Sequence, residues 1–172
     1  GGGQGNIYIT QDTSTNQWSE VTSVPTDYYW ASIDMSASGQ YIIAPANINN
    51  VVYLSSDFGD SWTVIPMTQL PEKYYNWAVV SSSRQYMYTV VGGTSGSTGT
   101  IYQSKDFGVT WHTTTAPNLE WYAITCDDSG KYLVAVTTAD LIYYYLDSGG
   151  TWLASSGASS NDWHSVTSSS DG

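Results

Sequence analysis

An eight-residue pattern constrains this chain more than any other feature. Ser55-Ser56-Asp57-Phe58-Gly59-Asp60-Ser61-Trp62 returns as Ser104-Lys105-Asp106-Phe107-Gly108-Val109-Thr110-Trp111, so that Ser, Asp, Gly, Ser/Thr and Trp recur in register. A third copy, Tyr145 to Trp152, keeps Asp147, Gly149, Thr151 and Trp152 but has Tyr where the first Ser stood. A fourth, Thr10 to Trp18, keeps Asp12 and Trp18, lacks the Gly and carries one extra residue before the Trp. The pattern predicts a tight β-hairpin. The carboxylate accepts turn N–H groups, the Gly supplies a positive φ, and the hydroxyls bond locally. The Trp then opens the next strand and packs on the sheet beneath it.

A second landmark recurs in phase with the first. Trp30, Trp77, Trp121 and Trp163 each follow a hairpin Trp and each begin a short apolar run, giving a period of about 45 residues. One period divides into four strands: Trp30 to Asp34, Gln40 to Ala44, Val51 to Ser55 and Trp62 to Ile65, with the hairpin joining third to fourth. The next two periods divide as Trp77 to Ser81, Gln85 to Val91, Thr100 to Ser104 and Thr110 to Thr114, then Trp121 to Thr125, Lys131 to Thr137, Leu141 to Tyr145 and Thr151 to Ala154. Ile7-Tyr8, Val52-Tyr53, Ile101-Tyr102 and Ile142-Tyr143 mark the third strands, and no stretch sustains a helical period. The expected fold is all-β, a β-propeller of four-stranded antiparallel blades, about four in this chain. The repeats run over about 30–76, 77–120 and 121–162, with 1–29 and 163–172 sharing a fourth. Such a chain is a window of a larger propeller or a four-bladed ring lacking one strand, and the split blade favours the window.

Ser-x-Asp-x-Gly-x-Ser/Thr-Trp at Ser55 to Trp62 and Ser104 to Trp111, with partial copies around Asp12 and Asp147, resembles the Asp box, or bacterial neuraminidase repeat. That repeat occurs in β-propellers of sialidases, xyloglucanases, sortilin-type receptors and photosystem II assembly factors. The resemblance implies the fold and little of the function, since those families do unrelated things. A sialidase would imply an arginine triad, whereas Arg84 is the single arginine.

Composition narrows the partners. Four Lys plus Arg stand against 15 acids, a net charge of -11, which repels nucleic acid and anionic membranes. Hydroxyls and 15 Tyr, rather than charges, dominate the polar surface, a composition that suits an extracellular or cell-surface protein. Cys126 is the single cysteine, so no intrachain disulfide forms, and its place in a strand predicts a structural thiol.

In a propeller the loops leading into each first strand share one face with the loops joining second to third strands. The lead-ins are Asp27-Tyr28-Tyr29, Tyr74-Tyr75-Asn76, Asn118-Leu119-Glu120 and Asn161-Asp162. Aromatic rings beside carboxylates suit a sugar, which offers an apolar ring face and directional hydroxyls. Tyr28, Tyr29, Tyr74, Tyr75, Asp27, Glu120 and Asp162 are therefore the candidate glycan-binding residues, while the recurring Trp residues are packing. His112 and His164 lie far from any metal-spaced partner and read as surface strand residues. Asp57 to Asp60 and Asp127 to Gly130 do not fill a calcium-loop ligand series, so no metal and no cofactor is expected. No catalytic residue is assigned. The expected role is a non-catalytic scaffold or recognition module, with other protein chains, copies of itself or glycans as partners. A glycoside hydrolase fragment of xyloglucanase type is the alternative; it requires two carboxyl groups across a cleft, drawn from Asp27, Asp34, Glu120 or Asp162.

Overall fold

The computed structural model describes residues 4–10, 14, 17–71, 74–92, 96, 98–138, 140–147 and 150–172. Asp12 of the worn hairpin and Gly149 of the third copy lie outside the described residues. The described strands are β1 (Tyr8–Ile9), β2 (Ser19–Glu20), β3 (Asp34–Met35), β4 (Ile42–Ala46), β5 (Val51–Ser55), β6 (Thr63–Val64) and β7 (Tyr75–Val80). They continue as β8 (Met87–Val91), β9 (Ile101–Ser104), β10 (His112–Thr113), β11 (Trp121–Cys126), β12 (Tyr132–Thr137), β13 (Tyr143–Leu146) and β14 (Trp152–Ala154). Three sheets of four strands run in sequence order, β3 to β6, β7 to β10 and β11 to β14, preceded by the β1/β2 pair; every pairing is antiparallel. The expected strand order holds, with one difference at the start of the first period. There Trp30 forms only an isolated bridge to Ala46, and regular pairing is confined to Asp34–Met35.

The two complete hairpins have the same hydrogen bonds, atom for atom. Asp57 Oδ1 accepts from the Ser55 hydroxyl and the Ser61 N–H, both at 2.9 Å, and Oδ2 accepts from the Ser61 hydroxyl at 2.5 Å. Asp106 takes the same three donors from Ser104 and Thr110 at 2.8, 2.9 and 2.5 Å. The buried Ser hydroxyl in turn accepts the N–H of Gly59 or Gly108 at 2.9 Å. The Trp indole closes the unit by donating to the Gly59 carbonyl at 2.9 Å, or to that of Gly108 at 3.2 Å. The positive φ is not confined to the glycine. Phe58 (62°) and Phe107 (66°) precede Gly59 (89°) and Gly108 (83°) in the left-handed region, as in a type I′ turn. A phenylalanine there costs of order 1–2 kcal/mol, and the carboxylate network that surrounds the turn offsets it.

Each sheet buries its faces against its neighbours. Ile7, Val21 and Val24 meet Ile42, Ala44, Tyr53 and Trp62; Ile43 and Val52 meet Tyr75, Val80, Met87 and Trp111; Tyr88, Val90 and Ile101 meet Trp121, Ile124, Leu133 and Trp152. Side chains of this size contribute about 1.5–3 kcal/mol each when fully buried, so these three interfaces carry most of the stability. Among the described residues no core cluster joins β1 or β2 to the last sheet.

A smaller contact repeats at the other turn of each sheet. Gly39, Arg84, Gly130 and Gly172 all adopt positive φ, each with its N–H on the carbonyl three residues back. The turns at Arg84, Gly130 and Gly172 seat on a tyrosine of the preceding sheet: Tyr41, Tyr86 and Tyr132. The Arg84 guanidinium lies 4.3 Å from the centre of the Tyr41 ring, a cation–π contact, and a Cβ at Gly130 would come 2.5 Å from Cβ of Tyr86. The single arginine is thus placed by packing between sheets.

Trp111→Ala is expected to cost roughly 3–5 kcal/mol of unfolding free energy, measured by urea titration. Trp18→Ala, in the worn copy where the ring is 61% exposed, is expected to cost less than about 1 kcal/mol.

Candidate functional site

Two places collect chemistry, one at the lead-in loops and one where the first strands converge. At the lead-in face, contacts between loops confirm that lead-ins and second-to-third loops share a side. The Tyr29 N–H donates to Asn49 Oδ1 at 3.1 Å and the Gly96 N–H reaches Glu120 Oε2 at 3.4 Å. An amide relay runs across three sheets: Asn47 Nδ2 donates to Asn76 Oδ1 at 3.0 Å, and Asn76 Nδ2 donates to the Tyr122 carbonyl at 2.7 Å. Sequence reasoning missed this relay, although Asn76 stands directly before a repeat Trp, where Tyr29, Glu120 and Asp162 stand in the other lead-ins.

The candidate residues divide by exposure. Asp27 and Asp162 are exposed and Tyr74 is 42% exposed; Tyr28, Tyr29 and Glu120 are half-buried. Tyr28 leans on Trp30 and Tyr53 at ring separations of 5.9 and 6.1 Å, so only part of its face is free. Tyr75 requires correction. It is fully buried in the second interface and its hydroxyl donates to the Pro71 carbonyl, so it offers no face to a ligand. Asp162 lies 3.5 Å from the exposed His164, whose ring stands edge-on to the half-buried Tyr122 at 4.7 Å. His164 is exposed as expected but lies outside any strand, whereas the exposed His112 is in β10.

The second place is a cavity of about 380 Å³ lined by β3, β7, β11 and Val166. Asp34 faces it with Oδ2 accepting the Val80 N–H at 2.8 Å, the first strand of one sheet thereby tied to that of the next. Burial raises the Asp34 pKa above the usual carboxylate value, and the hydrogen bonds from Val80 and Met35 only partly oppose it. Burial likewise pushes the Cys126 thiol up to about 12, leaving it protonated at neutral pH. Asp127 goes the other way. Burial pulls it upward, but the Ser129 hydroxyl and the N–H groups of Tyr132, Lys131 and Ser129 overcome that and hold it below the usual value. Both Asp127 oxygens are filled: Oδ1 by Lys131 and Tyr132, Oδ2 by the N–H and hydroxyl of Ser129. It is a turn-former in the position of Ser36 and Ser81, whose hydroxyls accept Tyr41 and Tyr86 N–H groups in the neighbouring sheets.

No protein-family profile and no curated protein matches this chain. Its backbone is nonetheless shared with solved structures. A structure of YCF48 bound to D1 peptide is similar at a TM-score of 0.70 and 18% identity, over 99% of this chain and 54% of that one. The GH74 enzyme of Niastella koreensis is similar at 0.62 and 18%, over 80% of this chain and 24% of that one. A chain of a nidogen/laminin complex is similar at 0.67 and 13%, over 88% and 56%. The fold is a β-propeller. The chain spans about a quarter of the GH74 enzyme and about half of the other two, and at these identities the likeness is one of fold.

The titrations predict a pH profile with two opposed components. Hydrogen bonds from Ser61 and Thr110, hydroxyl then N–H, hold Asp57 and Asp106 below the usual value. Their folded pKa lies under the unfolded one, so their stabilisation is present above the unfolded value, about 3.9, and is lost as pH falls through the folded value. Asp34 has a raised folded pKa, so stability falls as pH rises from the unfolded through the folded value. Asp34→Asn fixes the neutral state and keeps an acceptor for Val80. Calorimetry is expected to show a Tm at neutral pH equal to or above the parent's, with the decline as pH rises above the unfolded carboxylate value, about 3.9, flattened and the acid loss below it retained.

Proposed function

We propose that this chain is part of an Asp-box propeller acting as a non-catalytic scaffold and recognition module of an extracellular or surface-associated protein, with glycans bound at the lead-in face. The observation that carries the reading is a division of labour between acids. The repeat carboxylates Asp57 and Asp106, and the turn-forming Asp127, are spent on turn donors within their own sheets. The carboxylates and rings that differ from blade to blade, Asp27, Tyr29, Tyr74 and Asp162, stand on the opposite rim with free surface. Stacking of a sugar ring on Tyr74, flanked by carboxylate acceptors, is the contact this rim offers. The neighbouring Asp162 and His164 side chains and the Asn47 to Asn76 relay supply directional groups beside it.

The hydrolase reading has one observation in its favour besides the GH74 likeness: Asp34 has a raised pKa and faces a cavity that it shares with Asp127. The pair lacks a working base. Asp127 has no free acceptor position for a water or an anomeric carbon.

The test is a titration of the chain with neutral β-glucan and xyloglucan oligosaccharides, followed by tryptophan fluorescence and by assay of new reducing ends. Saturable binding that weakens at least about tenfold, 1.4 kcal/mol, in Tyr74→Ala, without reducing ends, is expected. Reducing ends that vanish in Asp34→Asn would establish the hydrolase instead, and binding unchanged in Tyr74→Ala would remove the lead-in face from the account.

A further inference from the structure

The first strands β7 and β11 carry the same irregularity. In β7 the pairing register slips between Tyr75 and Trp77, and in β11 between Trp121 and Ala123, so Asn76 and Tyr122 are each the extra residue of a β-bulge. A bulge takes one residue out of the ladder and re-aims its side chain. The position recurs from blade to blade. Trp30, Tyr75 and Trp121 pair with Ala46, Val91 and Thr137, and the residues that follow them are Ala31, Asn76 and Tyr122. The residue before this position is aromatic in all three blades, whereas the residue at it differs each time. Asn76 is engaged by its neighbours: Oδ1 accepts from Asn47 Nδ2 at 3.0 Å, and Nδ2 donates to the Tyr122 carbonyl at 2.7 Å. Tyr122 is the reverse case. Its carbonyl is held by Asn76 and its half-buried ring stands edge-on to His164, but its hydroxyl makes no hydrogen bond among the described residues.

The bulges lie beside the stacking platform of the lead-in face. Tyr74 stands two residues before Asn76, and its carbonyl accepts the Gly92 N–H at 3.0 Å. Gly92, at φ 143°, is pressed on the lead-in of the next blade, where a Cβ would lie 2.6 Å from the Trp121 backbone nitrogen. Tyr74, Gly92, Trp121 and Tyr122 thus form one run across a single junction, and all four strands of both blades at that junction belong to this chain. We propose that Tyr122 is a ligand-contacting residue of the lead-in face, that Asn76 is the positioning residue that holds it there, and that the ligand is a neutral glycan. The inference rests on the glycan reading above and adds to it the residues that decide specificity. The Tyr122 hydroxyl both donates to and accepts from sugar hydroxyls. Asp162, 3.5 Å from His164, accepts from sugar hydroxyls beside it and repels a carboxylated or sulfated sugar. Asn76 acts through Tyr122, because its carboxamide ties the carbonyl of that bulge residue to the preceding blade and so fixes where the ring points.

The test is a fluorescence titration of the parent, Tyr122→Phe, Asn76→Ala and the double variant with neutral β-glucan and xyloglucan oligosaccharides, and with oligogalacturonate as a carboxylated control. Tyr122→Phe removes one hydroxyl and is expected to weaken neutral-sugar binding about three- to tenfold, the loss of one hydrogen bond. Asn76→Ala is expected to weaken it comparably in the parent and to add little in the Tyr122→Phe background, because its effect runs through Tyr122. A residue that only stabilised the junction would lower the Tm in both backgrounds and leave the affinity of the folded protein unchanged. Near-ultraviolet circular dichroism checks that each variant keeps its packed aromatic core. Oligogalacturonate is expected to bind at least about tenfold more weakly than the neutral oligosaccharides. Neutral-sugar binding that Tyr122→Phe leaves unchanged would overturn the inference and leave the glycan reading standing. Losses that add fully in the double variant, or oligogalacturonate bound as tightly as the neutral sugars, would do the same. A parent that binds no neutral oligosaccharide would overturn both.

Discussion

No blade of this protein can bury its own faces, and the rest of the structure follows from that constraint. A twisted sheet of four short strands has two apolar sides and no helix to cover either. The solution is a stack in which the trailing residues of one sheet, such as Ile43 and Val52, become the floor for Tyr75 and Trp111 of the next. Stability is then a sum over neighbours. Of the polar bonds that cross the junctions, two join one first strand directly to the next: Asp34 accepts the Val80 N–H at 2.8 Å, and Ser32 the Ala78 N–H at 3.1 Å. They fix the register of one blade on the next, a task that non-directional packing leaves undone.

The repeat hairpin sits at the far edge of each junction and holds the indole in place. One carboxylate organises three donors, keeps two successive residues at positive φ and lets the following Trp donate to the turn carbonyl while its ring enters the interface. This uses up acids that in another setting would be available for catalysis or metal binding. It also leaves the opposite rim free to vary, since nothing in the hairpin network reaches the lead-in loops. The proposed recognition role grows out of that separation: repetition secures the scaffold, and departure from repetition supplies the ligand face.

Much of the scaffold was legible because it is local and periodic. The spacing of Trp62, Trp111 and Trp152, the third-strand pairs such as Val52-Tyr53 and the hairpin donors are all read from short stretches of chain. What failed to show was decided by distant residues. Tyr74 and Tyr75 look equivalent in sequence, yet alternation along the strand sends Tyr75 into the interface with Met87 and Trp111 and leaves Tyr74 in water. Trp18 ends a worn copy of the hairpin that Trp62 ends, and its ring stays exposed where that of Trp62 is buried. The environment of Asp34 was hidden for a similar reason, since its partner Val80 belongs to the next repeat. Phe58 at positive φ has no sequence signal at all, because the usual expectation assigns that conformation to the glycine alone.

Native-state hydrogen exchange tests the stacking account most directly, recorded at low salt and low protein concentration on the isolated chain. If neighbours hold each blade, amides of β7, β8 and β9, covered on both faces, exchange slowest, β4, β5 and β12 follow, and β1, β2 and residues 163–172 exchange first. Equal protection of the first hairpin and the central sheet would contradict the account, because it would mean that a blade covered on one side is as stable as a blade covered on two.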